Sequence, residues 1–369
     1  MRVAFLCKRK YMGKDVILDR YARLYEIPFQ LARLGHQVRG YCLSYQGHDE
    51  GSWEHEAAPG SLHWQSASLG KWHVPGALGY PSRMLRELRA FQPDIVIGAS
   101  DIPQVVLGGW LARKLGRPYV ADLYDNFEGF GQGRIPGFVS ALRHAVRHAQ
   151  LVLTTSDLLA QLVTLEYHAK GKVIAMPSSV DLDVFCAGDQ ATARDSLGLP
   201  KDVSLVGTAG GLYKDKGIEV LYAAWKLLAA RRTDVHLVLA GPTDPSLALP
   251  QGDRVHYLGA LPHTRVADVF RALDVGIMSV LDTPFGKYCF PQKAYEMLGC
   301  KLPLAVADVG AMAALFAAYP SMRFKGGDAQ SLATVVAHQL DHRELPAIDV
   351  LQWSQQIAAI EPELRKLIA

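Results

Sequence analysis

The chain has 369 residues, 49% of them hydrophobic and 20% charged, with a formal net charge of +3. That length accommodates two or three domains, and the apolar share suits an α/β protein with buried parallel strands. Basic residues number 21 against 17 acidic ones up to residue 185 and 18 against 19 beyond it; this slight imbalance is too small for a nucleic-acid partner.

A strand over residues 2–7 opens the chain, followed by a basic loop, K-R-K-Y-M-G-K-D, and a helix ending at Leu34. Pro28 kinks that helix or marks a second start within it. A strand over 37–42 comes next. Residues 45–82, with scattered Gly, Ser, His and Pro, are expected to be irregular apart from a strand at 62–64. Strands at 95–98, 119–123 and 151–154 then alternate with helices, as a parallel sheet requires. Residues 176–203 cross to a second domain, with strands at 204–206, 236–240, 255–258, 275–278, 304–307 and 322–324, and a last helix spans about 350–368.

Two stretches carry chemistry. In residues 203–242, Gly207, Gly210 and Gly211 follow an apolar strand, Lys216 and Gly217 lead into a helix with apolar Ile218, Leu221, Ala224 and Leu228, and a second strand closes on Gly241-Pro242. This is a βαβ unit with its glycines at the carboxyl end of the first strand, where open α/β sheets bind ligands. The spacing is neither G-x-G-x-x-G nor a Walker A loop. In residues 284–303, a glycine-bearing loop ends in Phe290-Pro291, and Pro291 opens a short helix with Lys293 in its first turn and Glu296 one turn later. Proline suits the first helical position. The free N–H groups and the positive dipole end beside Lys293 suit a phosphate. A carboxylate one turn deeper would repel phosphate but accepts two hydroxyl hydrogen bonds, as from a ribose diol. The pair of stretches reads as a seat for a nucleotide or nucleotide-sugar; the alternative is an ordinary strand–loop–helix with solvated Lys and Glu.

Together these residues resemble the retaining glycosyltransferases of GT-B fold, family 4, in the subgroup with a P-x-K-x-x-E donor-site helix. The matching positions are Gly210, Leu212, Lys216, Gly217, Gly241, Pro291, Lys293, Glu296 and Pro303. Upstream, Leu34-Gly35-His36-Gln37-Val38 is similar to the family's L-x-x-x-G-H-x-V, Pro93-Asp94-Ile95-Val96 to its P-D strand, Ser156 to its helix-capping Ser, and residues 175–185 to its I-P-N-G-V-D-x-x-x-F hinge.

The resemblance implies two Rossmann-like, doubly wound α/β domains facing across a cleft. Residues 1–180 would be the acceptor side, with the 350–368 helix packing back on it, and 181–349 the nucleotide-sugar side. It implies transfer of a hexosyl unit from a nucleotide-sugar to the hydroxyl of a sugar, lipid-linked or protein-linked acceptor, in glycan, glycolipid or polysaccharide biosynthesis. Gly210, Gly211, Lys216, Gly241, Phe290, Pro291 and Lys293 would hold the diphosphate side of the donor and Glu296 its ribose. Lys216 and Lys293 would neutralise charge growing on the diphosphate, so no metal and no cofactor is expected. The chain departs from the pattern in four places: Gly211 stands where the family often has Arg, Tyr288 where many members have a second Glu, Tyr124 where many have His, and the glycine pair after the first strand is missing. Two alternatives remain: a nucleotide-sugar 2-epimerase of the same fold, or a non-catalytic nucleotide-sugar-binding protein.

Other features have quieter readings. Asp181-Leu182-Asp183 is a D-x-D, the metal-holding pattern of the other major glycosyltransferase fold, but in a hinge it reads as a turn cap. His144 and His148 are four apart on a helix and read as a solvated face. Residues 134–148 alternate apolar and basic faces, which fits either a helix packed on its own sheet or peripheral contact with the inner face of a membrane. After the strand at 119–123, Tyr124, Asp125, Asn126 and Glu128 stand at its carboxyl end, and Asn126 is the only asparagine in the chain. An amide both donates and accepts, which suits sugar hydroxyls. Tyr124, Asp125, Asn126 and Tyr288 are thus candidate sugar or acceptor contacts, with Asp125 and Glu128 as candidate catalytic residues; a turn or helix cap is the alternative. Five cysteines, at 7, 42, 186, 289 and 300, form no C-x-x-C pair, which argues for a reducing compartment and against a disulfide framework or zinc site. No signal segment precedes the first strand and no apolar run reaches about 18 residues, so a cytoplasmic location is expected.

Overall fold

The computed structural model describes residues 1–47, 50–69, 73–289 and 292–369, with backbone alone at 73–77, 284 and 285. The chain divides into two compact units, Met1–Ser179 with Leu351–Ala369, and Val180–Val350.

The first unit is built from strands β1 Arg2–Lys8, β2 Lys10–Tyr11, β3 Lys14–Asp15, β4 Gln37–Ser44, β5 Gly51–His55, β6 Ser61–Ser68, β7 Ile95–Ala99, β8 Tyr119–Leu123, β9 Leu151–Thr154 and β10 Lys172–Ala175, and helices α1 Ala22–Arg33, α2 His73–Phe91, α3 Ile102–Leu115, α4 Phe138–Arg147 and α5 Asp157–Leu165. Its main sheet runs β10-β9-β8-β7-β1-β4-β6-β5, parallel except for the edge strand β5. The interior strands are short apolar runs buried on both faces, such as Ile95 to Ala99 and Leu151 to Thr154, as helices on both sides of a parallel sheet demand.

The strand expected at 62–64 is present within β6, but the rest of the stretch at 45–82 is more regular than expected. It holds β5, the whole of β6 and the start of α2. In β6 the alternation was masked by polar types, because Ser66 and Trp64 are buried while His63 and Gln65 are half-exposed. The basic loop after β1 is likewise structured: β2 and β3 pair as a hairpin. Its turn residues Met12 and Gly13 have φ of 51° and 79°, both left-handed, as a two-residue hairpin turn of the primed type requires. Pro28 lies inside a continuous α1.

The second unit holds helix α6 Gln190–Leu197, strand β11 Ser204–Ala209, helix α7 Ile218–Arg231, strands β12 Val235–Ala240 and β13 Val255–Tyr257, helix α8 His263–Ala272, strand β14 Val275–Met278, helices α9 Pro284–Tyr288 and α10 Gln292–Gly299, strand β15 Leu304–Ala307, helix α11 Gly310–Leu315, strand β16 Arg323–Phe324 and helix α12 Ala329–Asp341. Its parallel sheet runs β13-β12-β11-β14-β15-β16.

The last helix, α13 Trp353–Lys366, belongs to the first unit. It buries Trp353, Ile357, Ile360 and Leu364 in the same core as β1, β7 and α1. At the heart of that unit Arg23, fully buried on α1, binds Asp122 of β8 through Nη2 to Oδ1 at 2.6 Å and donates from Nη1 to the Met176 carbonyl at 2.6 Å. One guanidinium thus ties a helix, a strand and the segment after β10.

Candidate active site

In each unit the strand order reverses beside the first strand: between β1 and β7 in one, between β11 and β14 in the other. Such reversals leave a crevice at the carboxyl ends of the strands, where ligands bind.

In the second unit the loop after β11 occupies this position. Gly210 has φ +111°, and a side chain there would begin 3.1 Å from Lys293 Cε and 3.2 Å from Nζ. Glycine at 210 is therefore what lets the Lys293 ammonium lie against the loop backbone. Gly241, at φ +127°, packs so closely that a Cβ would stand 2.0 Å from the Gly210 carbonyl oxygen, so the two glycine turns are built against each other. At Gly211 a side chain would start 2.6 Å from the Tyr213 ring; the space beside this position, where the family often has Arg, is taken by Tyr213.

Lys293 is half-buried on α10, with Nζ 3.4 Å from Thr208 Oγ1. Burial lowers its pKa to about 8; Glu296 opposes the shift and the nearby Lys216 charge adds to it. Glu296 is buried, and burial raises its pKa to about 7 against the pull of Lys293. Lys293 therefore senses both Glu296 and Lys216 electrostatically. Lys216 closes a short 3₁₀ turn before α7, is exposed, and lies 3.7 Å from Asp215; its carbonyl accepts the Ser279 hydroxyl hydrogen bond at 3.0 Å. Tyr288 ends α9 beside Lys287, whose Nζ is 5.7 Å from its ring centroid. Phe290 and Pro291 lie outside the described residues. The cluster offers ammonium charge to a diphosphate and a carboxylate to hydroxyl donors.

In the first unit, the segment after β8 makes a tight 3₁₀ turn over Phe127–Gly129. The Asn126 side chain caps it, accepting from the Glu128 N–H at 3.2 Å, and Asp125 Oδ1 accepts from the Asn126 N–H at 2.7 Å. Glu128 is held by Arg143 of α4 through two bonds, of 2.6 and 3.0 Å. Asp125 and Asn126 are buried. The three residues thus have turn-forming and bracing work in the structure. Tyr124 packs its ring against Tyr11 and Phe127, and its hydroxyl accepts from Lys8 Nζ at 2.9 Å.

Lys8 and Asp101 are residues that sequence reasoning missed. Lys8 ends β1 and Asp101 starts α3 directly after β7. Burial lowers the Lys8 pKa and raises that of Asp101, each partly offset by the other's charge. The available signal was the basic K-R-K run where the family's glycine pair is missing.

The D-x-D does local work: Asp181 Oδ1 accepts from the Asp183 N–H at 2.9 Å. His148 Nδ1 lies 2.8 Å from the His144 carbonyl on an exposed face. Helix α4 buries Leu142, Ala145 and Val146. No described helix is long and apolar enough to cross a membrane.

Residues 23–177 match the family described as glycosyl transferase 4-like domain, and residues 203–342 match glycosyl transferases group 1. The chain is similar to D-inositol 3-phosphate glycosyltransferase 2 of Catenulispora acidiphila, 31% identical over 209 residues, which are 52% of this chain and 48% of the relative. It is also similar to D-inositol 3-phosphate glycosyltransferase of Mycobacterium tuberculosis, 30% identical over 175 residues, 44% of this chain and 35% of the relative. The chain spans about half the length of these curated relatives, or less. Among solved structures, sucrose-phosphate synthase from Thermosynechococcus elongatus superposes with a TM-score of 0.71 at 19% identity, covering 100% of this chain and 95% of that one. Anabaena Alr3699/HepE in complex with UDP gives 0.67 at 16% identity, covering 100% and 97%. The likeness to these two is one of fold.

Proposed function

We propose, from the premise that this chain belongs to the family 4-like glycosyltransferases of GT-B fold, that it moves a hexosyl unit from a nucleotide-sugar to an acceptor hydroxyl with retention of configuration. One observation carries the reading: the Lys293 ammonium packed into the Gly210 turn, with Glu296 one helical turn away and the Lys216 charge close by. A nucleoside diphosphate would place its phosphates on the lysines and its ribose hydroxyls on Glu296. The Anabaena protein of the same fold was captured with UDP, which supports a uridine nucleotide among the candidates.

The chemistry asked of the protein is modest. The acceptor hydroxyl enters on the face the diphosphate leaves, and a phosphate oxygen takes its proton. Charge then grows on the departing diphosphate, and Lys216 and Lys293 stabilise it by electrostatic preorganisation. The acceptor belongs to the first unit, with Tyr124 and the turn at Asp125, Asn126 and Glu128 near its seat.

The test is a thermal-shift screen of UDP, GDP, ADP, dTDP and their hexose conjugates on the full chain, since a ligand that binds only the native state raises its melting temperature. One nucleotide class is expected to stabilise, and its sugar conjugate to release hexose slowly into water. No stabilisation and no hydrolysis would end the reading. Because lysines serve the diphosphate, turnover is expected to persist in excess EDTA; complete loss that magnesium or manganese restores would overturn the metal-free assignment.

A further inference from the structure

Cys7 and Cys42 are 35 residues apart in sequence and are register partners on the adjacent parallel strands β1 and β4. Partners in register leave a sheet on the same face, and both side chains enter the core that α1 and α13 share. Both are free thiols, 0% and 1% exposed. Their sulfurs are 3.4 Å apart, one thiol donating to the other.

This arrangement is close to what a disulfide needs. Adjacent strands lie about 4.8 Å apart, within the roughly 4.4–6.8 Å that separates disulfide-linked Cα atoms. From 3.4 Å the sulfurs have about 1.4 Å to travel to reach the ~2.0 Å of an S–S bond. That is small enough for rotation of the two side chains rather than a shift of the strands. A metal is the competing reading of two facing thiols. A closed zinc site takes four ligands, and among the described residues no group of three or more His, Cys, Asp or Glu side chains is placed to hold an ion. The next residue along the row, Ser66 of β6, is in register with Cys42, and its Oγ accepts from Arg9 Nη1 at 3.1 Å. Packing alone accounts for the burial of each cysteine; it does not require the two sulfurs to face each other.

Burial, and then the bond to Cys42, hold the Cys7 thiol well above its ordinary pKa, against the pull of the Lys8 ammonium from the next residue. A thiol in this state is a poor nucleophile at rest, and its burial shuts out bulky reagents. Closure therefore calls for a small oxidant. Once one sulfur is oxidised the other is in contact with it, so the second step is intramolecular and fast.

We infer that Cys7 and Cys42 form a modification site, a dithiol that a hydroperoxide closes to a disulfide, fastening β1 to β4. One thiol attacks a peroxide oxygen and becomes a sulfenic acid as the O–O bond breaks. Its proton leaves on the departing alcohol, or on water when the oxidant is hydrogen peroxide. The second thiol then displaces the sulfenic oxygen, which leaves as water with the remaining protons. Two S–H bonds and one O–O bond are lost, one S–S bond is formed, and the peroxide takes up the two electrons. The disulfide closes a loop that contains the β2–β3 hairpin and α1. Such a cross-link removes freedom from the unfolded chain and so favours the folded one. None of this depends on the transferase reading.

The experiment treats the folded full chain with hydrogen peroxide, blocks the remaining thiols with N-ethylmaleimide under denaturing conditions, and maps tryptic peptides by mass spectrometry without reductant. Cleavage after Arg2, Lys8, Arg39 and Lys71 puts Cys7 in the peptide 3–8 and Cys42 in the peptide 40–71. These two peptides are expected to appear joined, with the loss of two hydrogens, and to separate in dithiothreitol. The oxidised protein is expected to melt several degrees above the reduced one, and Cys42→Ala, oxidised in parallel, to show no such rise. The peptide map uses the parent chain alone, so it decides even if Cys42→Ala does not fold. No joined peptide by the time peroxide has consumed the half-buried Cys186 thiol would overturn the inference. So would joining that occurs only in the unfolded chain, because the fold would then not be what pairs the sulfurs. A melting temperature that does not rise on closure would overturn the fastening of β1 to β4.

Discussion

Burial works against the charge on both Lys293 and Glu296, moving the lysine down to about 8 and the carboxyl up to about 7. A bound diphosphate favours the ammonium and ribose hydroxyls favour the carboxylate, so binding restores what burial removes. Nucleoside diphosphate affinity is therefore expected to be greatest between about pH 7 and 8. Above this window the free protein has lost the Lys293 proton and binding must take one up; below it, Glu296 is protonated and binding must release one. Each such one-proton linkage changes affinity by up to about tenfold per pH unit. Calorimetric titrations from pH 6 to 9 check this, and Glu296→Gln should shrink the fall on the acid side. Lys216→Ala and Lys293→Ala should each lower transfer by about 3 kcal/mol in barrier terms, by analogy with an oxyanion-hole donor, with circular dichroism unchanged. Near-normal transfer by either variant removes that lysine from the mechanism. The proposed donor residues were legible because lysine, glutamate and glycine at fixed offsets carry their chemistry in the chain itself. The pairing of Lys8 with Asp101 was not, because the two charges meet only once β1 and β7 lie side by side.

The turn after β8 shows how an element constrains interpretation. Asn126 caps it and Glu128 is braced by Arg143, so Asn126→Ala should cost about 1 kcal/mol of stability, as loss of a cap does. A lower melting temperature with activity retained per folded molecule is the expected result. Loss of transfer at unchanged nucleotide affinity would instead give Asn126 a role in the transition state. Elements with strong apolar runs, such as β7, β9 and β12, were readable from the sequence. The β5–β6 pair and the β2–β3 hairpin were not. Their register depends on cross-strand partners, such as Trp53 opposite Trp64, and on left-handed turn residues that include a methionine, for which the sequence offers no signal.

The whole molecule is two Rossmann-like units in a chain that leaves the first, builds the second and returns. Helix α13 inserts Trp353, Ile357, Ile360 and Leu364 into the first core. Truncating one large buried side chain costs about 2–5 kcal/mol, so removing all four costs on the order of 10 kcal/mol or more, comparable with the about 5–15 kcal/mol that stabilises a typical protein. Deleting residues 351–369 should thus leave the first unit unfolded while the second keeps its secondary structure, measurable by hydrogen exchange resolved along the chain. Persistent protection of β1 and β7 would contradict this. From the sequence alone came the α/β class, the parallel strands and the proposal of Lys216, Lys293 and Glu296 as donor-site residues, because periodicity and motif offsets are local properties of a chain. Folding decided what depends on distant residues meeting. It brought Lys8, Tyr45 and Asp101 from three separate strand ends to one cavity, and joined Arg23 to Asp122 in the core. It also shifted the Lys293 and Glu296 pKa values towards neutrality, because desolvation exists only once the surrounding side chains have packed.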